Sequence, residues 1–438
     1  MTGGERYFDA KAETLPRREL EALQLARLRA CVERLAASSV PFHRERLAGI
    51  RPADLRSLRD LARLPFTTKA DLRDHYPAGL LAALPRDVAR IHASSGSTGK
   101  PTVVAYTKRD LELWAELVAR GLVAGGLTRE DVFQNAYGYG LFTGGLGFHQ
   151  GASLVGATVV PAGAGNTSRQ VMLMRDLGVT AYGATPSYSL AIAEVALSEG
   201  IDPHALPLRA AFLGAEPMAE PMRHEIETRL GVTVYEQYGL SEIIGPGVAA
   251  ACAIAPGMHL AEDHFLPEVV DPASGDALAE GEVGELVLTA PTKEALPLLR
   301  YRTRDRCRLL REPCPCGRTS LRIEKILGRT DDMLIVRGVN LFPAQVEHAL
   351  VGIPGLDPHY QIVLSTRADR QDELRVRVEV AKGSAAEHAE RAALEARTRE
   401  VLHGALGISV RVELVAAGTL PRSDGKAARV IDERRRGA

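Results

Sequence analysis

The stretch ATVVPAGAGNTSRQVMLMRDLGVTAYGATP (Ala157–Pro186) contains the pattern that decides the fold. Its two short apolar runs, ATVVPA and VTAYGATP, have the length and composition of buried strands, and residues 170–177 between them have helical spacing. RAAFLGAEP (Arg209–Pro217) follows a further helical stretch in the same way. Strands that alternate with helices predict an α/β domain in which the sheets are largely parallel.

The flanking sequence extends this pattern in both directions. Residues 13–47 and Arg109–Ala124 have helical spacing, Thr67 or Thr68 can cap a further helix, and VVAYT is strand-like. Residues 281–311 alternate as antiparallel strands do. Beyond Asn340, a helix at 343–350, the strands YQIVLS and ELRVRVEVA, a helix at about 385–406 and the strand ISVRVELV predict a compact α+β module. We therefore expect an α/β protein with a large N-terminal domain (1–328) of mixed or parallel sheets flanked by helices, a hinge (329–331) and a small, mobile α+β C-terminal domain (332–438).

The composition excludes several classes of protein. The chain of 438 residues is 45% hydrophobic and 25% charged, and its formal net charge is −1, which argues against nucleic-acid and acidic-membrane partners. No apolar run has membrane-spanning length, and the charged N-terminus lacks a secretory signal, so we expect a cytoplasmic protein. Five cysteines in such a chain do not predict a disulfide framework.

The loop ASSGSTGKPTVVAYT (Ala93–Thr107) has the composition of a phosphate-binding loop. It is not a Walker loop, because Ser94 stands where that motif needs glycine and Pro101 follows Lys100. A glycine-serine turn is the plainer interpretation. The functional one is an anion-binding nest of backbone amides with added hydroxyls and a cation, formed by Ser94, Ser95, Gly96, Ser97, Thr98, Gly99 and Lys100.

SSGSTGKPT resembles the phosphate loop of the acyl-adenylate-forming superfamily. The superfamily's further motifs are matched in order by GAEP (Gly214–Pro217), YEQYGLSE (Tyr235–Glu242), YRTRD (Tyr301–Asp305), GRTDDMLIVRGVN (Gly328–Asn340) and LPRSDGK (Leu420–Lys426). NAYGYGLFTGGLG and RGVNLFPAQVE are similar to the phenylacetate–CoA ligase subfamily, and the resemblance covers essentially the whole chain. It implies that ATP activates an aromatic carboxylic acid as an acyl-adenylate, which CoA then converts to a thioester.

The resemblance assigns the reacting groups. Lys426 would bridge the substrate carboxylate and the α-phosphate, Glu242 would hold Mg²⁺, and Ser241 would add a hydroxyl near the α-phosphate. Without the motifs, DGK would be a polar turn and Glu242 a glutamate in the first turn of a helix.

The nucleotide is expected to contact the other motifs. Tyr238 would flank adenine, Asp305 would bind the ribose hydroxyls and Arg329 would reach the ribose or a phosphate. Asp331 would be the hinge residue, and Arg304 stands where the family usually has glycine. The remaining residues of this expected nucleotide set are Gly214, Ala215, Glu216, Pro217, Glu236 and Gly239.

A pocket for the acid is expected from aromatic walls and glycine floors, which suit a flat ring such as phenylacetate or a substituted benzoate. Some of these aromatic residues are equally well explained as ordinary core. The set is Tyr137, Tyr139, Phe142, Gly144, Gly145, Ala184 and Pro186.

Cys252, His259, Cys314 and Cys316 offer three sulfurs and an imidazole, which are the ligands of a closed structural zinc site. His264 is the alternative to His259, and cysteines without a metal are the plainer interpretation.

Two other functions share the same motifs. The chain could deliver the acyl group to a carrier protein or an amine instead of CoA, or it could be a non-catalytic sensor. Lys426, Glu242 and Asp305 argue against the sensor, because all three are retained. The sequence leaves the oligomeric state open, a homodimer included.

Overall fold

The computed structural model describes residues 6–94, 101–332, 334–336, 339–366, 372–382, 390–422 and 429–434. The chain forms two compact units. The first contains residues 1–184, 204–215 and 232–326, and the second contains residues 185–203, 216–231 and 327–438.

Helices and strands alternate through the middle of the chain. The helices of the described residues are α1 (Ala10–Glu13), α2 (Arg17–Ala36), α3 (Pro41–Arg46), α4 (Lys69–Asp74), α5 (Lys108–Ala124), α6 (Thr143–Val155), α7 (Thr167–Asp176), α8 (Pro186–Ser198), α9 (Glu220–Leu230), α10 (Pro343–Val351) and α11 (Arg391–Leu406). The strands are β1 (Val88–Ser94), β2 (Thr102–Thr107), β3 (Val132–Asn135), β4 (Thr158–Val160), β5 (Ala181–Ala184), β6 (Ala210–Gly214), β7 (Thr233–Leu240), β8 (Gly245–Ala251), β9 (Met258–Leu260), β10 (Leu266–Val270), β11 (Gly284–Thr289), β12 (Tyr301–Cys307), β13 (Leu309–Leu310), β14 (Arg322–Ile323), β15 (Leu334–Val336), β16 (Val339–Leu341), β17 (Leu356–Thr366), β18 (Asp372–Val380), β19 (Arg411–Val415) and β20 (Val430–Asp432).

The first unit is organised around a nine-stranded sheet with the order β13-β14-β9-β8-β7-β6-β5-β3-β4. The strands from β4 to β7 pair in parallel, and those from β7 to β13 pair antiparallel. β10, β11 and β12 form a separate antiparallel sheet, and β1 pairs with β2 in a hairpin. The expected mixed α/β architecture is confirmed, and the antiparallel half begins where β7 turns into β8.

Burial explains why the central strands read as continuous apolar runs. Every residue of β5 and β6 is buried, as expected for parallel strands that are covered on both faces. On the side of β8, α5 and α6 pack against the sheet. Helix α5 begins at a reciprocal cap, in which Thr107 Oγ1 accepts the N–H of Asp110 (3.1 Å) and the Asp110 carboxylate accepts the N–H of Thr107 (3.0 Å).

The single helix expected over residues 13–47 is wrong. The segment contains the last residue of α1 and two separate helices, α2 and α3, because Pro16 stands immediately before α2 and Pro41 is the first residue of α3. Proline is tolerated in the first turn of a helix but breaks a helix interior. Of the apolar positions at helical spacing within α2, Leu20, Leu28 and Cys31 are buried, and Leu23 and Leu25 are partly buried.

The second unit contains its own core. Its sheet has the order β19-β18-β17-β20, in which β17 and β18 are antiparallel and the two edge strands are parallel to their neighbours. Helices α10 and α11 pack on this sheet through β17 and β19, and β15 and β16 form a hairpin. Helices α8 and α9 also belong to this unit. Val376, Val378, Ile362 and Leu402 are fully buried in its apolar cluster.

No helix in the described part of the chain is both long enough and apolar enough to span a bilayer.

Candidate functional site

The hairpin β1–β2 positions the ends of the expected phosphate loop. Ser94 ends β1 directly opposite Thr102, the first residue of β2, and residues 95–100 between them lie outside the described part of the chain. Ser94 Oγ and Thr102 Oγ1 are both buried and have no hydrogen-bond partner among the described residues. Buried hydroxyls normally find partners, so these two are available to a ligand or to the loop itself.

Ser241 and Glu242 lie in the short turn between β7 and β8, and both are buried. Ser241 Oγ lies 3.1 Å from Thr143 Oγ1, and Glu242 Oε1 lies 3.4 Å from Lys69 Nζ. The turn therefore presents a hydroxyl and a carboxylate that are already paired with polar groups from α6 and α4.

The backbone of this turn accepts hydrogen bonds from two buried side chains, Tyr106 and Lys293, that the sequence did not predict as site residues. Tyr106 donates its hydroxyl to the carbonyl oxygens of Ser241 (3.4 Å) and Ile244 (3.1 Å), and Lys293 donates from Nζ to the carbonyl oxygen of Glu242 (3.3 Å). Burial lowers the pKa of Lys293 to about 8, although the carboxylates of Asp110 and Glu242 oppose this shift. The available signal was a lysine in the otherwise mostly apolar stretch VLTAPTKEALPLL.

Tyr238 and Asp305 form one buried pair. The hydroxyl of Tyr238 donates to Asp305 Oδ2 (2.6 Å), and the N–H of Asp305 donates to Thr303 Oγ1 (3.0 Å). Burial, together with the negative charge of Asp305, raises the pKa of Tyr238 well above its usual value. Arg304 has φ +68°, a left-handed conformation that favours glycine, which agrees with the departure noted at this position.

The strands β6 and β7 carry three of the other expected nucleotide residues, Gly214, Glu236 and Gly239. A Cβ on Gly214 would lie 2.2 Å from Gln237 O, and one on Gly239 would lie 1.9 Å from Gly245 O, so only glycine fits at either position. Glu236 is on β7, and Ala215 has φ +70°. In the second unit, Glu216 accepts hydrogen bonds from the N–H and the hydroxyl of Ser187 (3.1 and 2.9 Å), and Pro217 is the next residue along the chain.

The aromatic residues of the expected acid pocket are only partly available. Tyr137 is buried, stacks on Phe148 with centroids 4.9 Å apart and donates to Ala184 O. Tyr139 accepts a hydrogen bond from Asn135 Nδ2 (2.8 Å) and lies 3.1 Å from His149 Nδ1. Tyr137 thus belongs partly to the core, while Tyr139 carries a polar network of its own.

The glycines of this region lie at the start of α6. A Cβ on Gly144 would lie 2.5 Å from Phe142 Cε1, and one on Gly145 would lie 2.3 Å from Gly138 O. Phe142 itself is exposed. Pro186 is the first residue of α8 and belongs to the second unit, whereas Ala184 ends β5 in the first.

Cys252, His259, Cys314 and Cys316 are buried together, and one ligand atom from each lies within 4.8 Å of all the others. Cys252 Sγ is 3.8 Å from Cys314 Sγ, and Cys316 Sγ is 3.3 Å from His259 Nε2. The contact between the Cys252 and Cys316 sulfurs, together with the nearby His259 ring, lowers the pKa of Cys316, and the same sulfur contact, together with burial, raises the pKa of Cys252. Thiols that bind a metal must lose their protons, so metal binding to this cluster would release protons.

His264 is not part of this cluster. Its Nδ1 lies 2.9 Å from Thr292 Oγ1, and its Nε2 lies 3.1 Å from Asp263. The ring of His259 is held by Ser320 Oγ, 3.3 Å from Nδ1, so that Nε2 faces the sulfurs. The structure therefore brings together the first-choice ligand set, and His264 instead contacts Asp263 and Thr292.

In the second unit, Arg329 makes two parallel bonds to Asp331, from Nε to Oδ1 (2.8 Å) and from Nη2 to Oδ2 (3.0 Å). The expected hinge residue is thus paired with the arginine two residues before it. Lys426 lies outside the described residues, as do Ser95, Gly96, Ser97, Thr98, Gly99 and Lys100.

Comparisons with known proteins agree with the sequence motifs. A family model described as AMP-binding enzyme matches residues 22–293, and one described as AMP-binding enzyme C-terminal domain matches residues 338–434. The chain is 49% identical to the phenylacetate-coenzyme A ligase of Thermus thermophilus, over 98% of this chain and 100% of that protein. It is 48% identical to the enzyme of the same name from Escherichia coli, over 96% of this chain and 97% of that one.

Solved structures of 2-hydroxyisobutyryl-CoA ligase are similar along almost the whole chain. The post-adenylation state in complex with R3-HIB-AMP has a TM-score of 0.92 at 30% identity, and the alignment covers 99% of this chain and 94% of the solved chain. The thioesterification state, in complex with 2-HIB-AMP and CoA, has a TM-score of 0.73 at 31% identity, over 98% and 93% of the two chains.

Proposed function

The chain belongs to the AMP-binding enzyme family and is an AMP-forming acid–CoA ligase, and we propose that its acid is phenylacetate or a closely related aryl acid. The observation that carries the choice of acid is the identity of 49% and 48%, over nearly the full length, to two ligases named for phenylacetate. The stacked pair of Tyr137 and Phe148 lies near Gly145, where a Cβ would lie 2.3 Å from the carbonyl oxygen of Gly138, and this arrangement supports an aromatic substrate.

The reaction has two steps. A carboxylate oxygen of the acid attacks the α-phosphorus of ATP and pyrophosphate leaves, which gives an acyl-adenylate. The thiolate of CoA then attacks the acyl carbon, and AMP leaves with the oxygen that joined it to the acyl group. Because two anions must approach each other in the first step, cations and hydrogen-bond donors are needed where the charge accumulates.

We assign those groups as follows. Lys426 bridges the carboxylate and the α-phosphate, Ser241 donates to the α-phosphate region, and Asp305 accepts from the ribose hydroxyls. The burial of Ser241 and the pairing of Asp305 with Tyr238 support these roles, because both side chains are held in place before the nucleotide binds. Lys100, with the hydroxyls and amides of residues 94–99, would hold the departing pyrophosphate.

Glu242 is the residue that would hold Mg²⁺. Among the described residues, the ion pair of Glu242 is with a partly exposed lysine, Lys69, and such a carboxylate fits a hard cation bound chiefly through phosphates. When bound, Mg²⁺ would neutralise phosphate charge. Glu242 would exchange Lys69 for the ion while its backbone stays in place.

Zinc would be held by Cys252, His259, Cys314 and Cys316, whose donor set and mutual distances fit a closed tetrahedral site. A closed site stabilises the surrounding loops and does no chemistry.

We also propose that residues 1–328 and 332–438 are separate domains and that the second turns about Asp331 between the two steps. A cytoplasmic location and a homodimer stay predictions.

The proposal is tested by ATP–pyrophosphate exchange over a panel of aryl and aliphatic acids, followed by AMP release with and without CoA. We expect exchange to be fastest with phenylacetate or a ring-substituted relative, and AMP release to require CoA. Exchange that is fastest with an aliphatic acid would contradict the aromatic assignment. AMP release that needs a phosphopantetheinyl carrier protein or an amine would favour that acceptor instead.

A further inference from the structure

Lys293 is a buried cation to which the proposed chemistry gives no role. Its side chain is 1% exposed, its Nζ donates to the carbonyl oxygen of Glu242, and Nζ lies 4.5 Å from the centroid of the Tyr106 ring. A lysine that is buried this completely is uncommon unless its charge has a function or a close partner.

Among the residues that the structure describes, Lys293 has no close carboxylate partner, since no carboxylate oxygen lies within 4.0 Å of its Nζ. The neighbouring Asp110 already accepts the N–H groups of Thr107, Glu294 and Ala295. The positive charge of Lys293 is therefore stabilised by the more distant carboxylates of Asp110 and Glu242 and by the ring of Tyr106. The one described hydrogen bond of Lys293 goes to the backbone of Glu242.

A second buried cation of the same unit shows the usual arrangement. Arg120 is 8% exposed, and its Nη1 contacts both carboxylate oxygens of Asp263, at 3.1 and 3.0 Å. Removing Arg120 would break an ion pair, whereas removing Lys293 would release a backbone carbonyl in the turn that carries Ser241 and Glu242.

Lys293 and Tyr106 both contact the turn of residues 241–244 through its backbone carbonyl oxygens. Lys293 binds the carbonyl of Glu242, and Tyr106 binds the carbonyls of Ser241 and Ile244. The side chains of Ser241 and Glu242 make their contacts elsewhere, to Thr143 and Lys69. The backbone can therefore stay fixed while the side chains exchange their partners for ligands.

We propose that Lys293 is a positioning residue for adenylate formation, whose ammonium group holds the backbone of Glu242 so that Ser241 and Glu242 meet Mg²⁺·ATP in the correct place. The inference rests on the roles proposed above for these two residues. It assigns no contact between Lys293 and the substrates.

The test compares Lys293→Met with Arg120→Met, a matched loss of a buried cation outside the proposed site. Pyrophosphate exchange is measured against Mg²⁺·ATP and against the acid, and thioester formation is measured from supplied acyl-adenylate. For Lys293→Met we expect the KM for Mg²⁺·ATP to rise about tenfold, with the KM for the acid and the thioester step changed less than about twofold. Arg120→Met should lower the melting temperature and leave the KM for Mg²⁺·ATP unchanged.

A double-mutant cycle with Glu242→Gln separates positioning from general loss of structure. If Lys293 acts through Glu242, the effect of Lys293→Met on the KM for Mg²⁺·ATP shrinks in the Glu242→Gln background. The inference would be overturned if the double variant raised the KM for Mg²⁺·ATP by the product of the two single-variant factors. An unchanged KM for Mg²⁺·ATP in Lys293→Met would also overturn it. If Lys293→Met does not fold, Lys293→Gln is measured in the same cycle and decides by the same criterion.

Failure of the proposed function gives a different result. If the wild-type enzyme catalyses no exchange with any acid, the proposed function is wrong. If the wild type catalyses exchange and the Lys293 variants match it, only the inference about Lys293 is wrong.

Discussion

The two ends of strand β8 carry two sites of opposite chemistry. At its start, the turn that contains Ser241 and Glu242 presents oxygen atoms that pair with groups from other helices. Just beyond its end, Cys252 joins a cluster of sulfurs and an imidazole whose members contact one another. The side chains at the first end have partners from α6 and α4, whereas those at the second end have one another. The comparison teaches that one strand can hold two polar clusters apart, and we proposed a reacting role for the first and a structural role for the second.

The largest effect is expected at Lys426, to which we assigned the bridge between the carboxylate and the α-phosphate. Lys426→Ala should reduce pyrophosphate exchange by about 10²- to 10³-fold, because a charge placed where negative charge develops is worth that much. Thioester formation from supplied acyl-adenylate should change only a few-fold. Lys382→Ala, an exposed lysine of the same unit, is the control. Equal losses in the two half-reactions would refute the role of Lys426.

The next effect concerns the carboxylate at the start of β8. Glu242→Gln should slow exchange by about tenfold or more and raise the Mg²⁺ concentration needed for half-maximal rate, because an amide is a weaker ligand for a hard cation. The measurement is a Mg²⁺ titration at fixed ATP. Glu280→Gln, at a glutamate whose side chain is 61% exposed, should leave the titration unchanged. An identical Mg²⁺ dependence in Glu242→Gln would remove Glu242 from the ion's ligands.

At the other end of β8 the expected loss is of metal and stability. Cys316→Ser should abolish bound zinc and lower the free energy of unfolding by about 2–5 kcal/mol, with kcat per folded molecule nearly unchanged, because the site is closed. Metal analysis and thermal unfolding check this. Cys31→Ala replaces a buried cysteine outside the cluster and should keep the zinc. Wild-type protein purified without any zinc would defeat the assignment.

The smallest effect is expected in the acid pocket. Tyr139→Phe removes the hydroxyl that contacts Asn135 and His149. If this network orients the pocket wall, the KM for the aryl acid should rise about threefold to tenfold and the KM for ATP should not change. Initial rates against each substrate decide the matter. A change confined to the KM for ATP would place Tyr139 outside the acid pocket.

The sequence predicted most reliably what local pattern determines. The alternation of strands and helices from Ala157 to Pro217 is reproduced, and the apolar composition of β5 and β6 follows from their burial on both faces. The expected helix over residues 13–47 was wrong because spacing within a stretch does not mark where Pro16 and Pro41 divide it.

Residues of the candidate site could be predicted from the sequence when they belong to a recognised motif. Residues that reach the site only through tertiary contacts could not be predicted. Cys252 and Cys314 are 62 positions apart, and their proximity followed from chemical type and resemblance before the fold brought them together. Lys293 belongs to no recognised motif, and Tyr106 follows the phosphate-loop motif SSGSTGKPT without being part of it. Their contacts with the turn after β7 come from distant parts of the chain. The signal available for Lys293 was a lysine in a mostly apolar stretch.

The central claim is that this enzyme joins the carboxylate to the α-phosphorus of ATP. The most direct test supplies phenylacetate labelled with ¹⁸O in both carboxyl oxygens, together with ATP, Mg²⁺ and CoA, and analyses the nucleotide by mass spectrometry. The account predicts AMP that carries one ¹⁸O atom from each turnover, with unlabelled pyrophosphate. Unlabelled AMP, or ADP accompanied by labelled inorganic phosphate, would contradict it.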